Sequence, residues 1–173
     1  MTGEANHQAS PPAQVSERRT LLLFEAGARR FCLFADEAYS AVEWREPVPL
    51  PRAPQAILGV VSLRGRMFTV IDIGALFGDL ETGAKDESPA VQAPHGFIIP
   101  LRGDEQLALT ASAEPRAVET FLDQLGPMPE AEGLRMAARA LFRGEDEEAS
   151  ILLDPGKIFP LAMRGSERRR RRF

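Results

Sequence analysis

The 173-residue sequence predicts a mainly β fold, barrel-like and built from two related parts. Three observations carry this. Its apolar stretches are short, of strand length, and separated by Gly-bearing turns. The most patterned stretch, Ile57 to Ile73, is rich in β-branched residues on both sides of Gly65. A weak internal repeat is also visible. Leu63-Arg64-Gly65 leading to Val70-Ile71-Asp72-Ile73 is echoed by Phe142-Arg143-Gly144 leading to Ile151-Leu152-Leu153-Asp154.

The elements follow in chain order. Residues 1–18 lack apolar periodicity and contain Pro11-Pro12, which reads as a disordered leader. Leu21–Phe24 and Arg30–Phe34 flank Ala26-Gly27-Ala28 and read as a hairpin. Ala35 to Trp44 has weak helical character. Pro47, Pro49, Pro51 and Pro54 then favour an extended surface path. Ile57 to Ile73 reads as strand, tight turn, strand, and Ala75 to Gly78 as a helical turn capped by Gly78. Glu81 to Pro94 is polar and reads as a loop. Gly96–Leu101 and Gln106–Ala111 form a second hairpin, with Pro100 suited to an edge or a strand end. Residues 115–133 read as irregular and Leu134 to Phe142 as apolar. An acidic turn follows at Gly144 to Glu148. Ser150 to Asp154 is a strand, and Pro155 to Phe159 opens a short helix. The folded part is expected over residues 19–163, with an Arg-rich disordered tail at 164–173.

Composition narrows the function. With 44% hydrophobic and 27% charged residues, the chain can bury a sizeable core as one domain or two small intimate ones. Cys32 is the single cysteine, so no disulfide scaffold is expected. A lone thiol and a polar N-terminus without signal-peptide character point to a reducing cytoplasm. No apolar run reaches the roughly eighteen residues of a membrane-spanning helix. Two histidines and one cysteine are too few for a zinc site, and no cofactor is expected. No nucleophile elbow surrounds His95, and the glycine-rich and metalloprotease motifs of common enzymes do not occur.

Charge is uneven. The last ten residues hold six arginines and one glutamate, which leaves 15 basic and 24 acidic residues, a charge of −9, for the rest. Such a body offers no broad basic face for nucleic acid. Only the Arg168–Arg172 run does, as a site for nucleic acid or an anionic membrane, or simply as a solvated tail.

At this point the residues carry a resemblance. Leu50 to Gly78, with Gly59-Val60, Leu63-Arg64-Gly65, Val70-Ile71-Asp72 and Phe77-Gly78, resembles the signature of CheW-like domains. Those domains couple chemoreceptors to the histidine kinase CheA. The opening hairpin and the closing stretch around Ala140 to Phe159 are similar too. The resemblance covers roughly residues 20–160 and implies two SH3-like, five-stranded β-barrel subdomains on a shared apolar core, with short helices. It also implies a non-enzymatic adaptor. Its partners would be the regulatory domain of a CheA-type kinase, the cytoplasmic tip of a methyl-accepting chemoreceptor and other CheW-like proteins, beneath the membrane at receptor arrays. The sequence departs from the family pattern at Ser62 in place of Asn, at Thr69 in place of Pro, at Ser40 where a Glu is common, and at Leu109-Thr110-Ala111-Ser112.

The partner-binding residues so implied are Ser40, Leu58, Gly59, Leu63, Arg64, Val70 and Asp72. Arg64, at a strand end before Gly65, is free to meet a partner's carbonyls or carboxylate, or else holds its own turn. Asp72 suits a helix N-cap. Gly59 and Gly65 suit special backbone positions. Leu58, Val60, Leu63 and Val70 read as core, with some lining a groove between the barrels for an apolar helix stripe. Trp44 fits either an interface or the interior. Cys32 is expected buried and inert. A residual enzymatic reading would bring Asp72, Asp154 and His95 into one cleft.

Overall fold

The computed structural model describes residues 16–82, 95–128, 130, 132–145 and 147–170. The strands in chain order are β1 (Arg18–Ala26), β2 (Arg29–Phe34), β3 (Val42–Glu43), β4 (Ile57–Leu63) and β5 (Arg66–Ile71). After helix α1 (Ile73–Thr82) come β6 (Phe97–Pro100), β7 (Leu107–Ala111), β8 (Arg116–Phe121) and β9 (Leu125–Gly126). Helix α2 (Glu132–Arg135), β10 (Ala138–Arg143), β11 (Ala149–Leu153) and helix α3 (Pro155–Arg170) complete the chain.

The strands form two curled sheets. One has six strands in the order β8-β1-β2-β11-β10-β9, the other five in the order β3-β6-β7-β5-β4. The duplication expected from sequence is present, but each sheet mixes the two halves of the chain. The β1–β2 hairpin lies beside the β10–β11 hairpin, joined by the parallel pairing of β2 with β11. The β6–β7 hairpin lies beside the β4–β5 hairpin, joined by the parallel pairing of β5 with β7. The segment after β2 crosses to flank β6, and the segment after β7 crosses to flank β1. Ser112 N–H donates to Glu25 C=O at 2.7 Å, a direct backbone link between the sheets.

This exchange creates three apolar clusters. One fills the inside of the six-stranded sheet around Leu21, Leu23, Cys32, Phe142 and Leu152. A second fills the five-stranded sheet around Val61, Leu63, Phe68, Val70 and Ile98. The largest lies between them and joins Phe24, Phe31 and Leu33 to Ile71, Phe77, Ile99, Leu109, Leu153 and Ile158. Strand β2 feeds two clusters at once, since Phe31 and Leu33 face the shared core while Cys32 faces its own sheet's interior. That double burial is why such strands read as continuous apolar runs rather than alternating ones.

Several expectations are corrected. The sheets have six and five strands rather than five each, because β9 adds a short sixth. Ala35–Glu37 makes one 3-10 turn, and the rest of the expected helical segment is extended, with β3 inside it. Gly78 caps nothing, because α1 runs through it to Thr82. Residues 115–133, expected irregular, contain β8, β9 and the start of α2. Pro100 ends β6, which lies between β3 and β7 and is no edge. The backbone of α3 spans Pro155–Arg170 and so overlaps the segment read as an Arg-rich tail. Most of the expected leader and of the 81–94 loop lies outside the described residues.

Gly59 shows how tightly one seam is closed. Val48 and Val60 exchange backbone hydrogen bonds of 2.8 and 2.9 Å, so the proline-rich path docks on β4. A Cβ at Gly59 would lie 2.1 Å from Val48 O, and Gly59 has φ +141°. Only glycine fits there. Gly59→Ala is expected to lower the unfolding free energy by about 1–3 kcal/mol, as overpacking does, with the urea m-value unchanged.

Burial also governs Cys32, whose thiol is pushed up from 9.0 to about 12. The folded state keeps this proton where the unfolded chain loses it, so stability falls as pH rises from about 9 toward about 12. The urea midpoint of the wild type is expected to fall more steeply across that window than that of Cys32→Ala.

Candidate functional site

The turn between β4 and β5 carries the sharpest local geometry. Leu63 pairs with Arg66, and the two residues between them, Arg64 (φ 51°) and Gly65 (φ 78°), both have positive φ. This is the two-residue hairpin connection whose twist suits the flanking strands. Gly takes the second position freely. Arg at the first costs roughly 1–2 kcal/mol relative to ordinary backbone, a cost that Asn or Gly would relieve. The Arg64 side chain is exposed and makes no hydrogen bond or ion pair among the described residues.

A second group joins the turn from elsewhere in the chain. Arg66 Nη1 donates to Tyr39 Oη at 3.0 Å. Arg102 lies over the same ring, its guanidinium carbon 4.4 Å from the centroid, and that of Arg66 is 5.9 Å away. Arg102 Nε donates to Ala38 C=O at 2.9 Å. Such stacking holds each cation over the electron-rich face of the phenol. Ser40 is exposed and follows Tyr39 directly. Ser40 adjoins Tyr39 in the chain and Arg64 lies two residues before Arg66, so both flank the residues of this hydrogen bond. Met67, 52% exposed, follows Arg66 on β5 and faces the other side of the sheet with Ser62.

The other expected site residues lie inward. Leu63 and Val70 are buried in the five-stranded sheet's cluster, with Leu58 packed against it and partly exposed. Gly59 is buried under the Val48 strand. Asp72 is 6% exposed and acts as the N-cap of α1, accepting from Ala75 N–H at 3.0 Å through Oδ1. Its Oδ2 lies 3.6 Å from His95 Nε2, and His95 stacks on Trp44 at 4.6 Å between ring centroids. Trp44 is partly buried against the same cluster, so its role is packing.

The enzymatic grouping is not assembled. Asp154 belongs to the other sheet, where it accepts from Gly156 N–H and pairs with Arg139 and Lys157. Burial works to lower the Arg139 pKa, but the hydrogen bond to Glu37 and the nearby Asp154 outweigh it and hold it above its ordinary value. That pattern marks a structural ion-pair network. Among the described residues, no cluster of His, Cys, Asp and Glu is arranged to hold a metal, and no helix is long and apolar enough to cross a membrane.

The repeat sharpens the contrast. Asp72 and Asp154 occupy matching places, each donating its backbone N–H to an upstream alanine, Ala56 and Ala137, at 2.8 Å. Arg143 matches Arg64, yet its Nη1 donates to Glu147 C=O at 3.2 Å within its own turn. One half keeps its arginine; the other presents it.

Comparison with known proteins agrees with this architecture. Residues 20–163 match the CheW-like domain. The chain belongs to the CheW-like domain family. It is 33% identical over 60 residues to the chemotaxis protein CheW of Rhizobium meliloti, an alignment covering 35% of this chain and 39% of that one. A probable chemotaxis protein CheW of Rhizobium etli is 32% identical over 60 residues, with the same coverage. The alignments therefore span about two fifths of these relatives' length. Among solved structures, the scaffolding protein TtCheW of Thermoanaerobacter tengcongensis superimposes with a TM-score of 0.62 at 17% identity, covering 80% of this chain and 90% of that one. The CheW-like fold is thereby shown, and nothing positive points to catalysis.

Asp72 and Arg64 are expected to separate cleanly in a stability assay. Asp72→Ala removes the α1 cap and is expected to cost about 0.5–2 kcal/mol. Arg64→Asn keeps the turn geometry and is expected to leave the thermal midpoint unchanged or raised.

Proposed function

We propose that this CheW-like chain is a non-enzymatic scaffold that couples a chemoreceptor's cytoplasmic tip to the regulatory domain of a CheA-type histidine kinase, on the cytoplasmic side of receptor arrays. Family membership supports the chemosensory setting. The observation that carries the reading to a surface is Arg64. An arginine in a left-handed turn position, where Asn or Gly would cost less, and with no internal partner among the described residues, is backbone strain kept for contact with something outside the fold. A scaffold of this kind needs no cofactor. It fixes two partners in one geometry and alters kinase output through contacts that differ between signalling states.

Ser40 stands where the family commonly has a Glu, so the partner surface here is less acidic than the resemblance implies. The second reading is an adaptor that uses the arginine run on an anionic membrane or nucleic acid. The sequence feature behind it is the Arg168–Arg172 run, with five consecutive cations.

Titration calorimetry against the regulatory domain of a CheA-type kinase and against a receptor-tip fragment from the same cell decides between them. Micromolar or tighter binding is expected, unchanged by deleting residues 168–173 and lost from at least one partner in Arg64→Asn. Absence of binding by the folded wild type, or binding that vanishes with the arginine run and weakens steeply with salt, would overturn the scaffold reading.

A further inference from the structure

The surface around Tyr39 holds three arginines without a carboxylate. Arg64, Arg66 and Arg102 are all exposed. Among the described residues, the Arg66 side chain bonds the Tyr39 hydroxyl and the Arg102 side chain the Ala38 carbonyl, and none of the three has an acid within ion-pair distance. The fold's other arginines are mixed, since Arg45, Arg52, Arg135 and Arg143 likewise have no carboxylate partner among the described residues. Arg18, Arg19, Arg30 and Arg139 each pair with at least one carboxylate. In a body carrying 15 basic and 24 acidic residues outside its last ten, two guanidiniums over one ring concentrate positive charge locally.

The geometry is pre-set. The Tyr39 ring carries both Arg66 and Arg102, so neither long side chain has to be frozen wholly at the partner's approach. Arg66 and Arg102 each use one donor group internally and leave others free for two parallel N–H···O bonds to a carboxylate.

From this we infer that Tyr39, Arg66 and Arg102, with Arg64 on the adjoining turn, form a recognition site for an acidic protein segment. The inference builds on the partner-facing reading of Arg64 and names the chemistry of the partner. The flanking acids decide the class. A nucleic-acid backbone, with a phosphate at every step, would run from the arginines onto Asp104 and Glu105 and be repelled there. A segment with one or two carboxylates fits on the arginines alone.

The test is an NMR titration of the full chain, following backbone amides and arginine Nε–H signals. The probes are hexaglutamate, hexaglutamine and a ten-residue oligothymidylate. Hexaglutamate is expected to shift Tyr39, Arg64, Arg66 and Arg102. Arg66→Gln/Arg102→Gln is expected to weaken it at least tenfold, and the charge-matched Arg135→Gln/Arg143→Gln by less than twofold. Arg66→Lys/Arg102→Lys, which keeps charge and loses the planar forks, is expected to weaken it severalfold. Equal loss in the two glutamine doubles, an unaffected lysine double, or tighter binding of oligothymidylate than of hexaglutamate would overturn the site. Failure here is distinguishable from failure of the scaffold reading. Hexaglutamate bound at Tyr39 by a chain that ignores kinase and receptor preserves this site alone. Kinase or receptor binding untouched by Arg66→Gln/Arg102→Gln preserves the scaffold alone.

Discussion

Two parallel strand pairings hold the molecule together: β2 against β11 and β5 against β7. Each joins a hairpin from one half of the chain to a hairpin from the other. Neither half can complete a sheet by itself, so the two fold as one object with a shared interior. The pairing also forces the central strands to be covered on both faces. One face looks into its own curled sheet, the other into the common core of Phe31, Ile71, Phe77, Leu109 and Leu153. Close packing there leaves little tolerance for changes of volume.

This arrangement explains how a duplicated fold acquires one working face. Each half ends its strand pair in an aspartate that caps a helix, and each has an arginine at the matching turn. Asp72 and Asp154 do similar structural work. The arginines diverge. The longer turn after β10 lets Arg143 reach Glu147 C=O, whereas the tight Arg64–Gly65 turn leaves its arginine no carbonyl to take up. Turn length alone therefore decides which arginine is internal and which is offered to solvent.

Legibility in the sequence follows burial. The hairpins β1–β2, β4–β5 and β6–β7 were readable because their apolar runs are short and broken by Gly27, Gly65 and Gly103. Strand β8 was missed. Its residues Arg116, Ala117, Glu119 and Phe121 are exposed and only Thr120 is buried, so little apolar pattern announces it; pairing with β1 makes it a strand. Helix α1 was drawn too short because Gly78 looks like a terminator, yet Leu76 and Phe77 anchor the helix in the core. The departure at Ser40 and the signature arginine Arg64 were visible. Tyr39 and Arg102 were not, since nothing at their spacing marks them as neighbours.

By itself the sequence determined the β-rich class, the internal repeat, the family and the tight Leu63-Arg64-Gly65 turn. These rest on local pattern: β-branched runs, turn glycines and a motif of adjacent residues. Only the tertiary structure decided that the halves exchange hairpins, that Asp72 and Gly59 lie inside, that Arg64 is exposed, and that Tyr39, Arg66 and Arg102 meet at one surface. Those outcomes depend on contacts between residues far apart in the chain, such as the pairing of β3 with β6 and the bridge between Ala38 and Leu101, which bring the ring and its two cations together.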